Sequence, residues 1–388
     1  MQATSQHIDY FPVEEIFTYN ETTKVEDVFE NILQLFQTAP VRTPILGITI
    51  FFFLCWLIRD NLQLKTIKEK YVFITGCDTG FGNLLAKQLD KRGFNVIAAC
   101  FTVNGAEGLQ VDCSSKLKTV RLNVTSQDNI QKAVEFVQTE VGGQGLWGLV
   151  NNAGRANPIG PTEWLTVEDF TSVLDVNLVG LINVTLHFLP LVKKAKGRIV
   201  NVSSVMGRIS FAGGGYCLSK CGVESFSDSL RRDMQHFGIK VSIIEPGFFK
   251  TETTNLELIE KNLRQLWERL TPETRNHYGP EYFDNYIKIQ RFTMLSLCST
   301  DLEKVTSCMD HALTAKYPRV MENGIHFGKK LDPILQPKVL DEMRVKYQIY
   351  ELPSVINVSL KGIKWGTSVG FPHRCSRLQE NCPLGSEG

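Results

Sequence analysis

The chain has 388 residues, 43% of them hydrophobic and 21% charged, a composition of globular rather than disordered proteins. Its 42 basic and 41 acidic residues leave a formal net charge of +1, so nothing marks a nucleic-acid binder. Ten cysteines are scattered without a CxxC pair or zinc-spaced histidines, which excludes a zinc ribbon and fits a reducing compartment.

Residues 1–43 form an acidic extension. Thr23 and Glu26 fit a capping box, and Val25, Val28, Phe29, Ile32, Leu33 and Phe36 follow at helical spacing. Residues 44–58 are the most apolar run, uncharged and bracketed by Arg42 and Arg59. At about fifteen residues the run is short of the ~20 of a comfortable span. Its unbroken apolar surface, with Phe51, Phe52, Phe53 and Trp56, nevertheless predicts a membrane anchor. A basic linker, 59–70, carries Lys65, Lys68 and Lys70.

From Tyr71 the pattern alternates. Strands are predicted at 71–75, 95–99, 119–122, a run ending at 149–151, 198–202 and 240–245. Helices are predicted at 80–91, 126–140, 170–189 and 215–236. Strands alternating with helices give an α/β fold, a Rossmann-type doubly wound parallel sheet, here with an N-terminal hydrophobic anchor helix. Ligands of such sheets bind at the carboxyl ends of the strands.

Five stretches carry chemistry. Thr75, Gly76, Gly80, Phe81 and Gly82 lie where a strand meets a helix. Glycines there admit a pyrophosphate to the backbone, and a helix N-terminus favours its charge. Asn151-Asn152-Ala153-Gly154 follows the fourth strand, and Asn177 lies in an apolar helical stretch, where a buried amide needs partners. Tyr216 and Lys220 stand one helical turn apart, after Ser203 and Ser204. An ammonium beside a phenol favours phenolate and so a general base. Pro246, Gly247 and Thr251 follow the sixth strand as a turn or a cofactor loop. Cys217 and Cys221, on the Tyr216 helix, are expected to be small packing residues.

Together these motifs, TGxxxGxG, NNAG, the helix asparagine, the serine, YxxxK and PGxxxT, resemble the short-chain dehydrogenase/reductase family over about residues 71–319. Stretches such as KYVFITGCDTGFGNLLAKQLDKRGF and GGGYCLSKCGVESFSDSLRRDMQHFG resemble its microsomal retinol and hydroxysteroid dehydrogenase branch. The resemblance implies a membrane-associated oxidoreductase moving hydride between a hydrophobic alcohol and a nicotinamide, with retinol to retinal first and hydroxysteroids as the alternative. It implies Asn177, Ser204, Tyr216 and Lys220 as catalytic residues, with Ser204 also holding the substrate oxygen. Thr75, Gly76, Gly80, Phe81, Gly82, Asn123, Asn151, Ala153, Gly154, Tyr216, Lys220, Pro246, Gly247 and Thr251 are implied as cofactor residues.

NAD is expected over NADP, because the second strand ends in Cys100-Phe101-Thr102 and the glycine loop carries Asp78 and no cation. No metal is expected. Residues 248–318 should form a substrate lid, with Phe248, Phe249, Trp267, Tyr278, Tyr282, Phe283 and Phe292 divided between cavity and core.

The chain departs from the branch in its acidic extension, in Asn123 where the family has aspartate, and in an atypical tail, 320–388. The expected partners are a hydrophobic small molecule, retinoid or steroid, a membrane and a second copy of the chain. Alternatives from other classes are an idle membrane-tethered binding protein and a soluble reductase of small carbonyls. Positive residues after the anchor predict the endoplasmic reticulum membrane with the catalytic domain cytosolic. Asn20 is then the glycosylation signal in the lumen, and Asn357 lies in the cytosol.

Overall fold

A computed structural model describes residues 42–64, 66–210 and 213–324. The acidic extension before Arg42, Asn20 and most of the tail, with Asn357, lie outside the described residues.

The chain enters through helix α1 (Arg42–Asn61). Its 20 residues span about 30 Å, of which the apolar stretch 44–58 covers about 22 Å, with Arg42 and Arg59 at its two ends. Its side chains meet little protein: Phe51, Phe52 and Ile58 are 62, 66 and 65% exposed.

Strands β1 (Tyr71–Thr75), β2 (Asn95–Cys100) and β3 (Lys118–Arg121) follow, with helices α2 (Gly80–Arg92), α3 (Val103–Asp112) and α4 (Gln127–Val141) after them. Strand β4 (Gly148–Asn151) leads into α5 (Val167–Leu174), a π-helical turn (Asp175–Gly180) and α6 (Leu181–Ala195). Then come β5 (Arg198–Val202), α7 (Gly215–Met234) and β6 (Lys240–Pro246). Four helices form the last third: α8 (Leu256–Arg269), α9 (Pro272–Tyr278), α10 (Pro280–Leu297) and α11 (Glu303–Thr314). Strand β7 (Met321–Gly324) closes the sheet. The departure of the tail from the family pattern leaves that strand in place: Ile243 to Pro246 of β6 pair with it in parallel.

All seven strands run parallel in the order β3-β2-β1-β4-β5-β6-β7. The order reverses between β1 and β4, which opens a crevice at their carboxyl ends. Alternation along β1 supplies both faces of the sheet. Val72 and Ile74 join a core with Leu85 and Leu89 of α2 and Val305 and Met309 of α11. Phe73 faces the other way and stacks on Phe188 of α6, ring centroids 4.4 Å apart. The segment Val167–Ala195 is also long and apolar, but its Val184, Phe188 and Val192 are buried in the core that covers one face of the sheet.

Helix α3 is not predicted from the sequence. Two glycines and a single buried residue, Leu109, leave no apolar stripe. The Thr102 side chain starts it by accepting from the Gly105 amide.

Candidate active site

The crevice holds a cleft of about 1040 Å³. Its floor is the β1–α2 turn. Gly76 has φ +71°, and a Cβ there would stand 2.7 Å from the Ala153 Cα. A Cβ on Gly82 would stand 2.4 Å from the Gly76 carbonyl oxygen. Both glycines are demanded by close backbone approach. Gly76, Gly80 and Phe81 line the cleft, and the N-terminus of α2 opens onto it. A backbone cradle that excludes side chains, beside a helix N-terminus, fits the pyrophosphate of a dinucleotide.

Thr75 and Asn151 behave differently from expectation. Thr75 is 1% exposed, and its Oγ1 accepts from the Asn152 and Ala153 amides at 3.0 Å each. It pins the Asn152–Gly154 turn rather than facing the cleft. Asn151 is buried in β4, where its Nδ2 donates to Thr185 Oγ1 and Asn201 Oδ1, both at 2.8 Å. Its neighbour Asn152, not among the expected site residues, lines the cleft, and its Nδ2 donates to the Thr75 and Gly76 carbonyls at 2.9 Å, tying the two turns together. Gly82 likewise serves packing. Ala153, Gly154, Asn123, Pro246, Gly247 and Thr251 do line the cleft.

At the β2 end, Asp78 caps the strand. Its Oδ2 accepts from the Phe101 amide at 2.8 Å, and its Oδ1 from the Thr102 amide at 2.7 Å and hydroxyl at 2.6 Å. The cleft-lining cations, Arg155 and Lys220, stand on the β4–β5 side.

The opposite end gathers Ser204, Tyr216 and Lys220 on the cleft wall. Ser204 follows β5 and is 5% exposed; its Oγ accepts from the Met206 amide at 3.2 Å and donates to the Pro246 carbonyl at 3.4 Å. Lys220 is also 5% exposed, and its Nζ donates to the Val202 carbonyl at 2.8 Å. Burial brings its pKa down to about 8, opposed by the Glu224 carboxylate. The half-buried Tyr216 opens to the cleft but is otherwise closely packed. Burial holds its phenol above the ordinary value, while Ser204 pulls the other way. This corrects the expectation from spacing: the Lys220 ammonium, 5.7 Å from the Tyr216 ring centroid, does not bring the phenol below its usual range.

Asn177 sits in the π-helical turn, fully buried. Its Nδ2 donates to the Arg155 carbonyl (2.8 Å) and Ser219 Oγ (3.0 Å), and its Oδ1 accepts from the Arg155 amide (2.8 Å). It is a satisfied amide, and it adjoins the site: a Cβ on Gly154 would lie 3.3 Å from its Oδ1 and 3.7 Å from the Lys220 Nζ. A π turn of this kind marks functional positions more often than chance.

Behind this wall lies a network absent from the sequence reading. Arg208 Nη2 donates to Glu224 Oε2 at 2.7 Å and its Nε to Glu245 Oε1 at 2.8 Å. One guanidinium thus joins the Ser204 loop, α7 and the end of β6. Burial and the nearby Glu245 raise Glu224 to about 7. Cys217 is buried as expected, whereas Cys221 is exposed, its Sγ 2.9 Å from the Gly207 carbonyl.

The lid aromatics divide unevenly. Phe248 and Phe249 line the cleft, joined by Ile259, Leu263, Gln290 and Met294. Trp267, Tyr278, Tyr282 and Phe283 instead surround Trp164, ring centroids 4.9 to 6.2 Å apart across the cluster, as a small core for α8 to α10. Phe292 is 40% exposed.

A family model described as short chain dehydrogenase matches residues 70–261. The chain is 55% identical over 263 residues to retinol dehydrogenase 7 of Rattus norvegicus, covering 68% of this chain and 83% of that protein. It is 52% identical over 270 residues to 17-beta-hydroxysteroid dehydrogenase type 6 of Homo sapiens, covering 70% and 84%. A short-chain dehydrogenase from Streptomyces avermitilis shares the fold, with a TM-score of 0.54 at 22% identity over 72% of this chain and 98% of that one.

Proposed function

The chain belongs to the short-chain dehydrogenase family, and we propose that it oxidises a lipophilic alcohol of the retinol or hydroxysteroid type, retinol to retinal first. It is an oxidoreductase of CH–OH groups that uses a nicotinamide dinucleotide. The observation that carries the proposal is the convergence of Ser204, Tyr216 and Lys220 on the cleft that also holds the Gly76 cradle.

The dinucleotide, when bound, supplies the hydride acceptor. Gly76, Gly80 and Phe81 would hold its phosphates, Asn123 its adenine, and Ala153, Gly154, Pro246, Gly247 and Thr251 the remainder. Ser204 Oγ holds the substrate oxygen, and Tyr216 removes the hydroxyl proton. Lys220, anchored on the Val202 carbonyl, keeps N–H groups for the nicotinamide ribose. Both N–H groups of Asn177 are engaged, so a proton-carrying water would rest on an oxygen of that residue. Because burial holds the Tyr216 phenol protonated, alcohol oxidation should accelerate as pH rises through the alkaline range and carbonyl reduction should slow.

NAD is the proposed cofactor. A 2′-phosphate at the β2 end would meet the Asp78 carboxylate, with Arg155 and Lys220 on the other side of the cleft. The exposed α1 supports a membrane anchor, with the domain on the cytosolic face of the endoplasmic reticulum.

Tyr216→Phe tests the chemistry. It should keep dinucleotide affinity and fold while losing most turnover; near-normal turnover would end the assignment. Side-by-side titrations with NAD and NADP test the cofactor, and tighter NADP binding would overturn that choice.

A further inference from the structure

Helix α1 is fixed to the domain rather than tethered by a loose linker. The Leu64 amide donates to the Thr314 carbonyl at 2.9 Å, and the Lys316 amide to the Leu62 carbonyl at 2.7 Å. Gln63 bridges to Ala315. The Asp60 carboxylate is clasped by the Arg319 guanidinium, whose Nε lies 2.9 Å from Oδ1, and His311 Nε2 lies 3.2 Å from the Asp60 carbonyl. The helix root is therefore continuous with the surface that follows α11.

Three cations converge there on one aromatic ring. Arg59 Cζ, Lys316 Nζ and Lys240 Nζ lie 5.1, 5.5 and 5.6 Å from the Tyr317 centroid. Lys240 Nζ also donates to the Lys316 carbonyl at 2.8 Å. Among the described residues no carboxylate forms an ion pair with any of the three, and the neighbouring Asp60 is taken by Arg319. Lys70, 3.6 Å from the Trp147 centroid, shares that ring with Arg198 at 5.0 Å. Burial, Arg198 and Arg59 together hold Lys240 below its ordinary pKa. Like charges gathered this way repel until an anion joins them.

We propose that Arg59, Lys240 and Lys316, gathered on Tyr317 at the root of α1, form a docking surface for anionic phospholipid headgroups. The proposal rests on the reading of α1 as a membrane anchor. The occupant follows from position and charge. Ile58, 65% exposed, is the last apolar residue of the helix, and Arg59 is the next. With the apolar helix in hydrocarbon, Arg59 lies at headgroup depth. The backbone bond from Lys316 to Leu62 and the side-chain bond from Lys240 to Lys316 bring both lysines to the same level. Basic residues beside a membrane span are attracted to acidic lipid, and the attraction fades within a Debye length.

The test reconstitutes the full chain in phosphatidylcholine vesicles, with and without phosphatidylserine, and follows acylation of Lys240 and Lys316 by mass spectrometry. Acidic lipid raises the pKa of an amine at its surface, so both lysines should react about fivefold more slowly in the mixed vesicles. High salt should remove the difference, and Lys132, 70% exposed and paired with Asp128 on α4, should show none. R59Q should lessen the contrast while the chain still floats with both vesicles. Equal rates at Lys240 and Lys316 in the two vesicles, in a chain that floats with both, would overturn the docking surface and leave the anchor standing. Flotation with neither would overturn both. Equal slowing by inorganic phosphate with neutral vesicles would assign the site to a soluble anion and overturn the lipid assignment.

Discussion

Replacing Lys220 by Met should stabilise the cofactor-free protein while inactivating it. The ammonium is 5% exposed and donates to the Val202 carbonyl. Burial brings its pKa from 10.5 to about 8, which corresponds to about 3 kcal/mol of destabilisation while the amine is charged in both states. That cost is present in full below the folded pKa. Between the folded and unfolded values the unfolded chain holds a proton that the folded chain has shed, so stability recovers as pH rises and the cost is gone above the unfolded pKa. Met fills a similar volume without charge but leaves the Val202 carbonyl without this donor, a loss of about 1–2 kcal/mol. The net gain at pH 7 is then about 1–2 kcal/mol, which for a domain of roughly 250 residues raises Tm by about 2–8 °C. Thermal unfolding in detergent, followed by circular dichroism for both proteins near pH 7 and near pH 10, reads this directly. The variant should melt higher near neutrality, and the gap should close or reverse at the alkaline end. A variant that melts lower near neutrality, or a gap that ignores pH, would refute the reasoning.

Two further perturbations probe the scaffold. Gly76→Ala places a methyl 2.7 Å from the Ala153 Cα at φ +71°, a strain of about 1–3 kcal/mol. Dinucleotide titration by fluorescence should show affinity lowered at least tenfold, and unchanged affinity would remove Gly76 from the cradle. Arg208→Met leaves Glu224 and Glu245, 6 and 3% exposed at their side chains, without their shared cation. The cost should be about 2–3 kcal/mol, below the usual figure for a broken buried pair because the guanidinium is 42% exposed. It should shrink in acid, where Glu224, at about 7, takes up a proton. Urea unfolding at pH 5.5 and pH 8 checks the sign, and a loss larger at the acid end would contradict it.

The sheet was legible because β1, β2, β4, β5 and β6 are short apolar runs punctuated by turn residues. The cleft was legible because glycine turns and the Tyr216 helix follow those runs directly. Four features were not. Thr75 and Asn151 share the motif residues' sequence context, but their side chains turn inward, and facing is decided by strand register rather than by spacing. The Arg208 network joins residues up to 37 positions apart, and local pattern carries no trace of such a contact. The lid aromatics could not be divided between cavity and core before Trp164 was known to stand at their centre. The length of α1 was understated because Arg42, Thr43, Arg59, Asp60 and Asn61 continue a helix that the apolar count alone cuts short.

The central claim is tested most directly by incubating the purified full chain with NAD and a panel of retinols and hydroxysteroids, following reduced-nicotinamide absorbance. The account predicts absorbance growing with at least one lipophilic alcohol and vanishing in Tyr216→Phe. Dinucleotide binding with no turnover on any member of the panel, with either NAD or NADP, would contradict it.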